Sequence, residues 1–253
     1  MKVSIITVVF NNKATIADAV ESVLGQTYHD IEYIVVDGGS TDGTVEVLKS
    51  YGSRISKFVS ERDKGLYDAM NKGILMATGD IVGILNSDDL YRHAEVIKTV
   101  VDTFNKSNVD SVFGDMIYVQ RDNPEKIVRY YRSNNFKLED FRKGMMPGHA
   151  SFFVKKAFFE KFGIYNTNYK ISADFDLLLR FLYVNRISYE YIPQVLIVMR
   201  MGGVSTRGLS SMLLMNKENL QICKLNNVKT NLLKIYSKYL YKIFQFVTKP
   251  PQS

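Results

Sequence analysis

The sequence predicts an α/β fold in which a mostly parallel sheet is flanked by helices. Strand-like and helix-like segments alternate four times within the first 90 of 253 residues, as in folds whose parallel strands are joined by helices. One of the strand-like segments, Ile81–Leu85, is wholly apolar, which is typical of a strand buried on both faces. Two of the segments end in acidic residues, and the ligand crevice of an open α/β sheet lies at the carboxyl ends of its strands. We therefore expect a polar site at that edge.

The first half of the fold, residues 1–90, supplies the four strand and helix pairs. The predicted strands are Val3–Val9, Glu32–Val36, Ile55–Ser60 and Ile81–Leu85. The first helix covers 14–24, because its apolar positions recur at helical spacing, and Gly25 ends it. A turn at 38–44 leads into the second helix, with Ser40 or Thr41 as its N-cap. The third helix covers 66–77.

The second half, residues 91–205, continues the alternation less regularly. Helices are predicted at Arg92–Asn105 and around Leu177, Leu178 and Phe181, which share one apolar face. The predicted strands are Val109–Asp115, a hairpin over Met116–Tyr131 that turns at 122–124, an apolar strand after His149, and two closing strands, Tyr189–Pro193 and Val195–Arg200. Residues 1–205 thus form the predicted body, and 206–253 form a helical tail.

Composition indicates a folded protein of a reducing compartment. Apolar residues make up 46% and charged residues 23% of the chain, as in ordinary soluble domains. Cys223 is the only cysteine, which excludes an internal disulfide framework. The apolar run at 3–9 is too short to span a membrane, and no cleavage-site pattern follows it. We expect a cytoplasmic protein.

The positive charge lies in the tail. The net charge is +7, and seven lysines against one acid, Glu218, follow position 209, so the body is nearly neutral and nucleic-acid binding is disfavoured. From Leu232 onward, apolar and aromatic residues form a helical stripe, while Lys234, Lys238 and Lys242 line another face. A basic amphipathic helix of this kind suits the surface of an anionic membrane. The stripe could instead pack on the body or on a second subunit of a homodimer.

Two adjacent acids, Asp88 and Asp89, follow the strand 81–85. Neighbouring carboxylates repel each other and need a cation or hydrogen-bond donors. Hard divalent ions such as Mn²⁺ or Mg²⁺ take these oxygens and often share themselves with a substrate phosphate. The alternative is that 87–89 caps a helix starting near Arg92. Asp37 closes another strand, which favours one acidic crevice for a nucleotide and a metal-bound diphosphate.

The glycine-rich motifs of other nucleotide-binding folds are absent from the sequence. No Gly-x-Gly-x-x-Gly follows the first strand, and no Gly-x-x-x-x-Gly-Lys-Ser/Thr occurs. Four other pieces, in their order and spacing, resemble family 2 glycosyltransferases with the GT-A fold, of the type that builds bacterial surface polysaccharides. They are Ser4–Asn12, Ala19–Tyr28, Val36–Thr44 and Asn86–Asp89. Later segments extend the resemblance to Ser205, about four-fifths of the chain.

The resemblance implies a site for a nucleotide-diphosphate sugar. Asp37 and the end of the first strand would hold the nucleobase and ribose; the strand-end residues are Thr7, Val8, Phe10 and Asn11. Lys64 and Gly65 would line the donor pocket, because glycine lets the backbone approach a ligand closely. The alternative is that these two residues simply precede an amphipathic surface helix.

The resemblance also implies a divalent cation, Mn²⁺ or Mg²⁺, on the donor diphosphate. Asn86, Ser87 and Asp88 stand where the family has its Asp-x-Asp element. Asp88 would be the main metal ligand and Asp89 a secondary one, while the amide of Asn86 weakens the charge of the site. Arg200 begins a loop, 200–205, that resembles a loop folding over the donor, and its guanidinium would reach a phosphate.

The catalytic base is implied by a second segment. Ile171–Phe181 is similar to the family's Glu-Asp-Tyr-Asp-Leu element, with Asp174 in the base position and Ala173 where glutamate often stands. Transfer with inversion needs one base for the acceptor hydroxyl. Asp176 would bind the acceptor or pair with Arg180, four residues on. The plainer alternative is that both acids only cap the helix.

Two more residues are candidates for acceptor binding. His149 lies beside glycine and proline, and Ala150 follows it where many family members have glutamine. Asp115 closes a predicted strand and would lie at the acceptor mouth, unless it is a solvated strand end.

Taken together, these patterns predict an inverting, metal-assisted glycosyltransferase acting on a saccharide or lipid-linked saccharide, at the inner face of the cell membrane if the tail binds there. One alternative is a sugar nucleotidyltransferase, which needs a glycine-rich basic loop where this chain has Phe10–Lys13. Another is a non-catalytic sugar- or membrane-binding module, for which Asn86, Ala150 and Ala173 would be signs of a degenerate site.

Overall fold

The structure is a computed structural model that describes residues 1–121, 123–202 and 208–244, with side chains as far as residue 240. Three features of the predictions lie outside the described residues: Asp122 at the hairpin turn, the 200–205 loop from Gly203 onward, and the tail beyond Phe244.

Strands and helices alternate through most of the described chain. The strands are β1 Val3–Val9, β2 Ile31–Asp37, β3 Lys57–Ser60, β4 Ile81–Ile84, β5 Asp89–Tyr91, β6 Ser111–Gln120, β7 Asn123–Tyr131, β8 Phe153–Lys155 and β9 Tyr189–Arg200. The helices are α1 Ile16–Leu24, α2 Thr44–Ser50, α3 Leu66–Met76, α4 Val96–Ser107, α5 Ala157–Phe162, α6 Ala173–Leu178, α7 Leu209–Leu225 and α8 Leu232–Phe244. A π-helical segment, Leu179–Val184, continues α6.

The strands of the described chain form one mixed sheet in the order β3-β2-β1-β4-β8-β6-β9-β5, with β7 paired to β6. The strands of the first half, β1 to β4, are parallel, as predicted. In the second half, only β6 and β9 run parallel, and β8, β5 and β7 pair antiparallel with their neighbours. The fold class is therefore α/β as predicted, but the parallel order is confined mainly to the first half.

The sheet is covered by helices on both faces, and β1 shows how the sequence directs this. Val3, Ile5 and Val9 pack into an apolar cluster with α1 and α4. Ile6 and Val8 pack into the opposite cluster with α3, α6 and α7. Because successive side chains of a strand point to opposite faces, a strand with apolar residues on both faces requires a cover on each side.

Four predictions of local structure were wrong. The helix predicted from Arg92 begins at Val96, because β5 occupies 89–91. The strand predicted to end at Asp115 continues to Gln120, so this acid lies inside β6. The two closing strands are one continuous strand, β9. The N-cap of α2 is Gly43, with φ of 95°, rather than a hydroxyl side chain, since only glycine adopts this conformation readily.

A buried acid, Glu32, connects several segments at the amino edge of the sheet. Its carboxylate accepts hydrogen bonds from Ser4 Oγ at 2.6 Å and from the backbone N–H and hydroxyl of Thr78, each at 2.7 Å. Lys57 Nζ lies 2.9 Å from it. Burial alone would raise the pKa of Glu32, but these partners together hold it well below its usual range.

The tail is partly integrated into the body. Ile222 and Cys223 of α7 are fully buried in the cluster that contains Phe141 and Leu178, and Ile235 of α8 is buried as well. The prediction that Lys238 belongs to an exposed lysine face was wrong, since this residue is only 1% exposed. It is buried because this face of α8 packs against α7 and the 138–143 turn.

The opposite side of α8 carries exposed apolar residues: Leu232, Leu233, Tyr236 and Leu240. Within the described chain, no helix is both long and apolar enough to cross a membrane.

Candidate active site

The turn after β2 is organised by Asp37. Its buried carboxylate accepts hydrogen bonds from the N–H groups of Gly39 and Ser40, at 3.1 and 3.0 Å, and from Ser60 Oγ at 2.6 Å. The Asp63 carboxylate lies over Gly38, where an added Cβ would stand only 2.3 Å from Asp63 Oδ2. Asp37 thus shapes a turn, and Asp63 is the acid that lies against the face of that turn.

The end of β1 contributes backbone and one exposed ring. The side chains of Thr7 and Val8 are buried in the sheet, and Thr7 Oγ1 accepts a hydrogen bond from Tyr33 Oη at 3.1 Å. Phe10 is 62% exposed. Asn11 adopts φ of 47°, and its Oδ1 accepts a hydrogen bond from the Thr41 N–H at 2.8 Å. Of the four strand-end residues, Phe10 therefore offers a side chain at the surface.

The loop after β4 is fixed to the start of α1. Asn12 Nδ2 donates to Ser87 Oγ at 2.9 Å, and Thr15 Oγ1 donates to the Ser87 carbonyl at 3.0 Å. Asn11 N–H also donates to Ser40 Oγ at 2.7 Å. The turn between β1 and α1 therefore joins the Asp37 turn on one side to the 86–89 loop on the other.

Asp88 and Asp89 do not cap a helix, since β5 follows them directly. Asp89 is 1% exposed and accepts a hydrogen bond from Asn86 Nδ2 at 2.9 Å. Burial, and then the charge of Asp88, raise the pKa of Asp89 well above its usual range. Among the described residues, none donates a hydrogen bond to the half-buried Asp88 carboxylate. The helix-capping alternative is therefore wrong, and the loop holds carboxyl groups with too few partners.

This loop has the chemistry of a divalent-cation site. Asn86 Oδ1 is buried and receives no hydrogen bond from the described part of the chain, and an amide oxygen is a ligand that Mg²⁺ and Mn²⁺ accept. No group of three or more His, Cys, Asp or Glu among those residues could hold a metal ion. Asn86 and Asp88 are therefore too few to hold a cation by themselves. They could hold one if a substrate phosphate supplied the remaining ligands.

Arg200 lies under this loop. Its Nη1 donates to the Asp88 carbonyl at 3.3 Å, and its Nη2 donates to Asp18 Oδ2 at 2.5 Å. The residue is 7% exposed. Through these contacts Arg200 supports the backbone at Asp88. To bind a phosphate, the guanidinium would have to give up one of the two contacts or add a third.

Lys64 and Gly65 lie at the surface in front of α3. Both are exposed, and Gly65 has φ of 115° with open space where a side chain would stand. Its N–H donates to Asp63 Oδ1 at 2.8 Å. Gly65 thus presents open backbone next to the half-buried Asp63.

Asp174 lies in the first turn of α6, beside Tyr67 of α3. Its Oδ1 accepts a hydrogen bond from the Phe175 N–H at 2.8 Å, and Tyr67 Oη donates to the Ile171 carbonyl at 2.5 Å. Burial raises the pKa of Asp174 to about 6, although the Phe175 N–H and Tyr67 favour its ionised form. A carboxyl with this pKa is ionised near neutral pH and is a better proton acceptor than an ordinary aspartate.

Tyr118 lies near the 86–89 loop. Asp89 on β5 and Tyr118 on β6 are both register partners of Met199 on β9, the strand between them, which places their Cα atoms about 10 Å apart on the same face of the sheet. Burial raises the pKa of Tyr118, against the opposing charge of Arg129.

The other candidate residues make internal contacts. His149 Nε2 lies 2.6 Å from Tyr165 Oη, and burial lowers the pKa of His149 to about 4, so its ring is neutral near pH 7. Asp176 pairs with Arg180 Nε at 2.8 Å, as the alternative for this residue predicted. Asp115 is 1% exposed, which excludes the solvated strand end.

The carboxylate of Asp115 is enclosed by donors. It accepts hydrogen bonds from the hydroxyl groups of Tyr130 and Tyr191 and from the Ser133 N–H. The network fixes the base of the β6–β7 hairpin. Two cavities of about 300 and 480 Å³ lie along α7, and none of these acids lines either of them.

A model of a known family matches residues 4–163, more than half of the chain, and its description is glycosyl transferase family 2. The chain belongs to glycosyltransferase family 2. The protein is therefore an enzyme, and the non-catalytic alternative is wrong.

Bacterial glycosyltransferases are among the relatives of this chain. A glycosyltransferase of Mycobacterium tuberculosis, described as uncharacterized, is 35% identical over 182 residues, which are 70% of this chain and 68% of the relative. A PGL/p-HBAD biosynthesis glycosyltransferase of Mycobacterium bovis is 29% identical over 189 residues, with the same coverage of both chains.

Solved structures share the glycosyltransferase fold. Staphylococcus aureus TarS 1-349 in complex with UDP-GlcNAc superposes with a TM-score of 0.69 at 16% identity, covering 97% of this chain and 73% of TarS. The mannosyltransferase PcManGT from Pyrobaculum calidifontis, in complex with GDP-Man and Mn²⁺, has a TM-score of 0.64 at 19% identity, covering 99% of this chain and 66% of the other. The predicted GT-A architecture is confirmed.

Several residues of this site were not among the sequence-based candidates. Tyr67 and Tyr118 occupy strand and helix positions with no distinguishing pattern, and Asn12 is only the second of two adjacent asparagines. Their roles depend on pairings between segments far apart in the chain, which local sequence does not show.

Proposed function

We propose that this family 2 glycosyltransferase transfers a sugar from a nucleoside-diphosphate donor to a hydroxyl group of a saccharide or lipid-linked saccharide, with inversion at the anomeric carbon. The observation that carries this proposal is the arrangement of three acidic segments at one edge of the sheet. The Asp37 turn is joined through Asn11 and Asn12 to the 86–89 loop. Through Asp63 and Gly65 it also meets the start of α3, where Tyr67 donates to the Ile171 carbonyl in front of Asp174.

In this proposal the base and ribose of the donor lie against the Asp37 turn and the Asp63 carboxylate, and the diphosphate lies toward Asp88. Asn86 Oδ1 and the Asp88 carboxylate would hold a divalent cation there, with Asp89 behind them. The cation, when bound, supplies charge neutralisation for the departing diphosphate. The nucleotide complexes of the two solved relatives, UDP-GlcNAc with TarS and GDP-Man with PcManGT, support the donor class.

Asp174 serves as the general base. Its Oδ1 is engaged by the Phe175 N–H, so we assign the transferred proton to Oδ2. As the acceptor oxygen loses its proton to Asp174, it forms a bond to the anomeric carbon from the face opposite the leaving group. The bond between the anomeric carbon and the diphosphate oxygen breaks, and the nucleoside diphosphate leaves with the electron pair. A single displacement of this kind inverts the configuration.

Membrane association is a separate part of the proposal. Lys224 on α7, Lys229 between the helices and Lys234 on α8 are exposed, and the acid of this segment, Glu218, is buried. Leu233 and Leu240, at 84% and 67% exposure, lie on the same segment. Exposed leucines among cations suit the boundary of an anionic bilayer, where a lipid-linked acceptor would be located.

The decisive assay incubates the enzyme with a panel of nucleotide sugars and Mn²⁺ and measures released nucleoside diphosphate. We expect release with one donor class, its loss on adding a chelator, and a decrease on the order of 100-fold or more in Asp88→Ala, because the leaving-group charge is then poorly neutralised. Asp102→Ala, an exposed acid on α4, is the matched control and should retain activity.

The outcome that contradicts the proposal is equally specific. Full activity of Asp88→Ala, or full activity in the presence of chelator, would remove the cation from the reaction. Analysis of the product anomer by NMR tests inversion separately, since retention would require a different mechanism.

A further inference from the structure

Helix α7 carries a buried acid, Glu218, that is aimed at the backbone in front of α6. Glu218 is 7% exposed. Its carboxylate accepts three hydrogen bonds from consecutive backbone N–H groups: those of Lys170 at 2.9 Å, Ile171 at 3.1 Å and Ser172 at 2.9 Å. A side chain from one helix therefore satisfies the donors that precede another helix.

These three residues lead directly into the catalytic segment. Ser172 is the N-cap residue of α6, and its own side chain makes no capping hydrogen bond. Asp174 follows two residues later, in the first turn. Ile171 is held from both sides, because its N–H donates to Glu218 and its carbonyl accepts a hydrogen bond from the hydroxyl of Tyr67. The position of Asp174 and the orientation of Tyr67 thus depend on the same residue.

The rest of the connection between α5 and α6 is fastened at two other points. Asn71 of α3 exchanges two hydrogen bonds with the backbone of Tyr165, each at 2.9 Å. Arg180 donates to the carbonyls of Phe162 and Ile164, at 2.5 and 2.7 Å. Neither contact lies within four residues of Ser172, so Glu218 and Tyr67 are the described side chains that fix the end of the connection nearest to Asp174, and Glu218 takes its N–H groups.

A carboxylate is well suited to this position and few other side chains are. Burying a charge is costly unless hydrogen bonds replace its hydration, and here three N–H groups do so. A carboxylate has two acceptor oxygens, whereas glutamine has one acceptor oxygen and an NH₂ group that would face the N–H donors. Besides burial, which is the main cause, the charge of Glu218 also raises the pKa of Asp174.

We propose that Glu218 is a positioning residue for the catalytic base: by holding residues 170–172, it fixes the first turn of α6 and thereby Asp174. The inference rests on the proposed role of Asp174. It gives the helix after the family-matched region a part in the reaction, in addition to its packing.

Glu218→Gln tests this assignment, with Lys217→Gln as the matched control, since Lys217 is the adjacent exposed residue on the same helix. We expect kcat of Glu218→Gln to fall on the order of 10- to 100-fold, because a small displacement of the base is costly. KM for the donor should stay close to the wild-type value, since the donor segments lie elsewhere. The acidic limb of the pH profile of kcat should move to lower pH, because one negative charge near Asp174 is removed.

Two results would overturn the assignment. One is a Glu218→Gln enzyme whose kinetics match those of Lys217→Gln. The other is a Glu218→Gln enzyme that loses activity without any shift of the acidic limb, which would mean a structural role alone. Asp174→Asn is measured in parallel, because an active Asp174→Asn enzyme contradicts the proposed function itself rather than the role of Glu218.

Hydrogen exchange of the wild-type enzyme tests the contact even if Glu218→Gln does not fold. The amides of residues 170–172 should exchange much more slowly than the amide of the exposed Thr167 in the same connection. Equal, fast exchange at both places would contradict the contact and with it the inference.

Discussion

At the scale of single residues, the site is defined by carboxyl groups whose environments differ. Asp37 and Asp115 are surrounded by donors and serve as structural anchors. Asp174, by contrast, is half-buried, and burial raises its pKa to about 6 despite hydrogen bonds that favour the ionised form. A group in that condition costs stability when it is ionised, and this is how a protein obtains a strong proton acceptor.

The pH profile of kcat should reflect this pKa. Asp174 must be ionised to accept a proton, so we expect activity to fall as the pH decreases through about 6. His149, whose pKa lies near 4, should not contribute to this limb. A kcat profile that is flat between pH 5 and 8 would contradict the assignment of Asp174 as the base.

Stability should change in the opposite sense to activity. The pKa of Asp174 is higher in the folded than in the unfolded chain, so its ionisation destabilises the fold as the pH rises through about 6. The free energy of unfolding of Asp174→Asn should therefore be about 1 to 3 kcal/mol higher than that of the wild type at pH 8 and little changed near pH 4. The same variant should lose turnover. Urea unfolding at both pH values measures the change in stability. A gain of equal size at pH 4 and pH 8 would point to a cause other than charge.

At the scale of elements, helices and strands with an apolar pattern were predictable, and those held by polar contacts were not. β1 and α3 were predicted almost to the residue, because their apolar residues face both sheet and helix layers. β5 was missed because three residues between two polar segments leave no pattern. α7 was not predicted as a separate element. Its buried residues include Asn216, Glu218 and Asn219, and polar residues do not mark a buried face in the sequence.

Helix α3 illustrates a packing constraint that propensity alone would misjudge. At Gly73, an added Cβ would lie 2.3 Å from Ile6 Cγ2 on β1. Gly73→Ala should therefore cost about 1 to 3 kcal/mol from overpacking, even though alanine is the better helix former.

Leu75→Ala is the control for this substitution, since Leu75 lies on the same helix and is 74% exposed. It should change stability by less than about 0.5 kcal/mol. Urea midpoints of both variants decide the matter. A stabilised Gly73→Ala would mean that α3 can move away from the sheet freely.

At the scale of the whole molecule, the sequence supplies candidate acids but not their arrangement. Asp88 and Asp174 were proposed from their own segments, whereas the position of Tyr118 relative to Asp89 depends on the pairing of β5 and β6 with β9. The tail was predicted as an appendage, and its packing through Ile222 and Ile235 was not. Long-range pairing of this kind is specified by the folded chain as a whole.

The membrane proposal is tested on the full chain, because α7 contributes to the core and its removal would disturb the body. Leu233→Glu together with Leu240→Glu should reduce co-sedimentation with vesicles that contain anionic lipid, since each introduces a charge where an apolar group would enter the bilayer boundary. Leu75→Glu, an exposed leucine on α3, is the control. Equal sedimentation of the double variant and the control would contradict the proposal.

The buried Glu32 at the amino edge of the sheet stabilises the fold in a way that depends on pH, at a place away from the candidate active site. Its pKa is depressed in the folded chain, so its stabilising effect is present above pH 4.5 and fades as the solution becomes more acidic. Protonation of Asp174, at the opposite edge, has the reverse effect on stability. Mild acidification should therefore inactivate the enzyme while the fold is still intact. Only stronger acid should begin to unfold the sheet, starting from the amino edge, which does not contact a substrate.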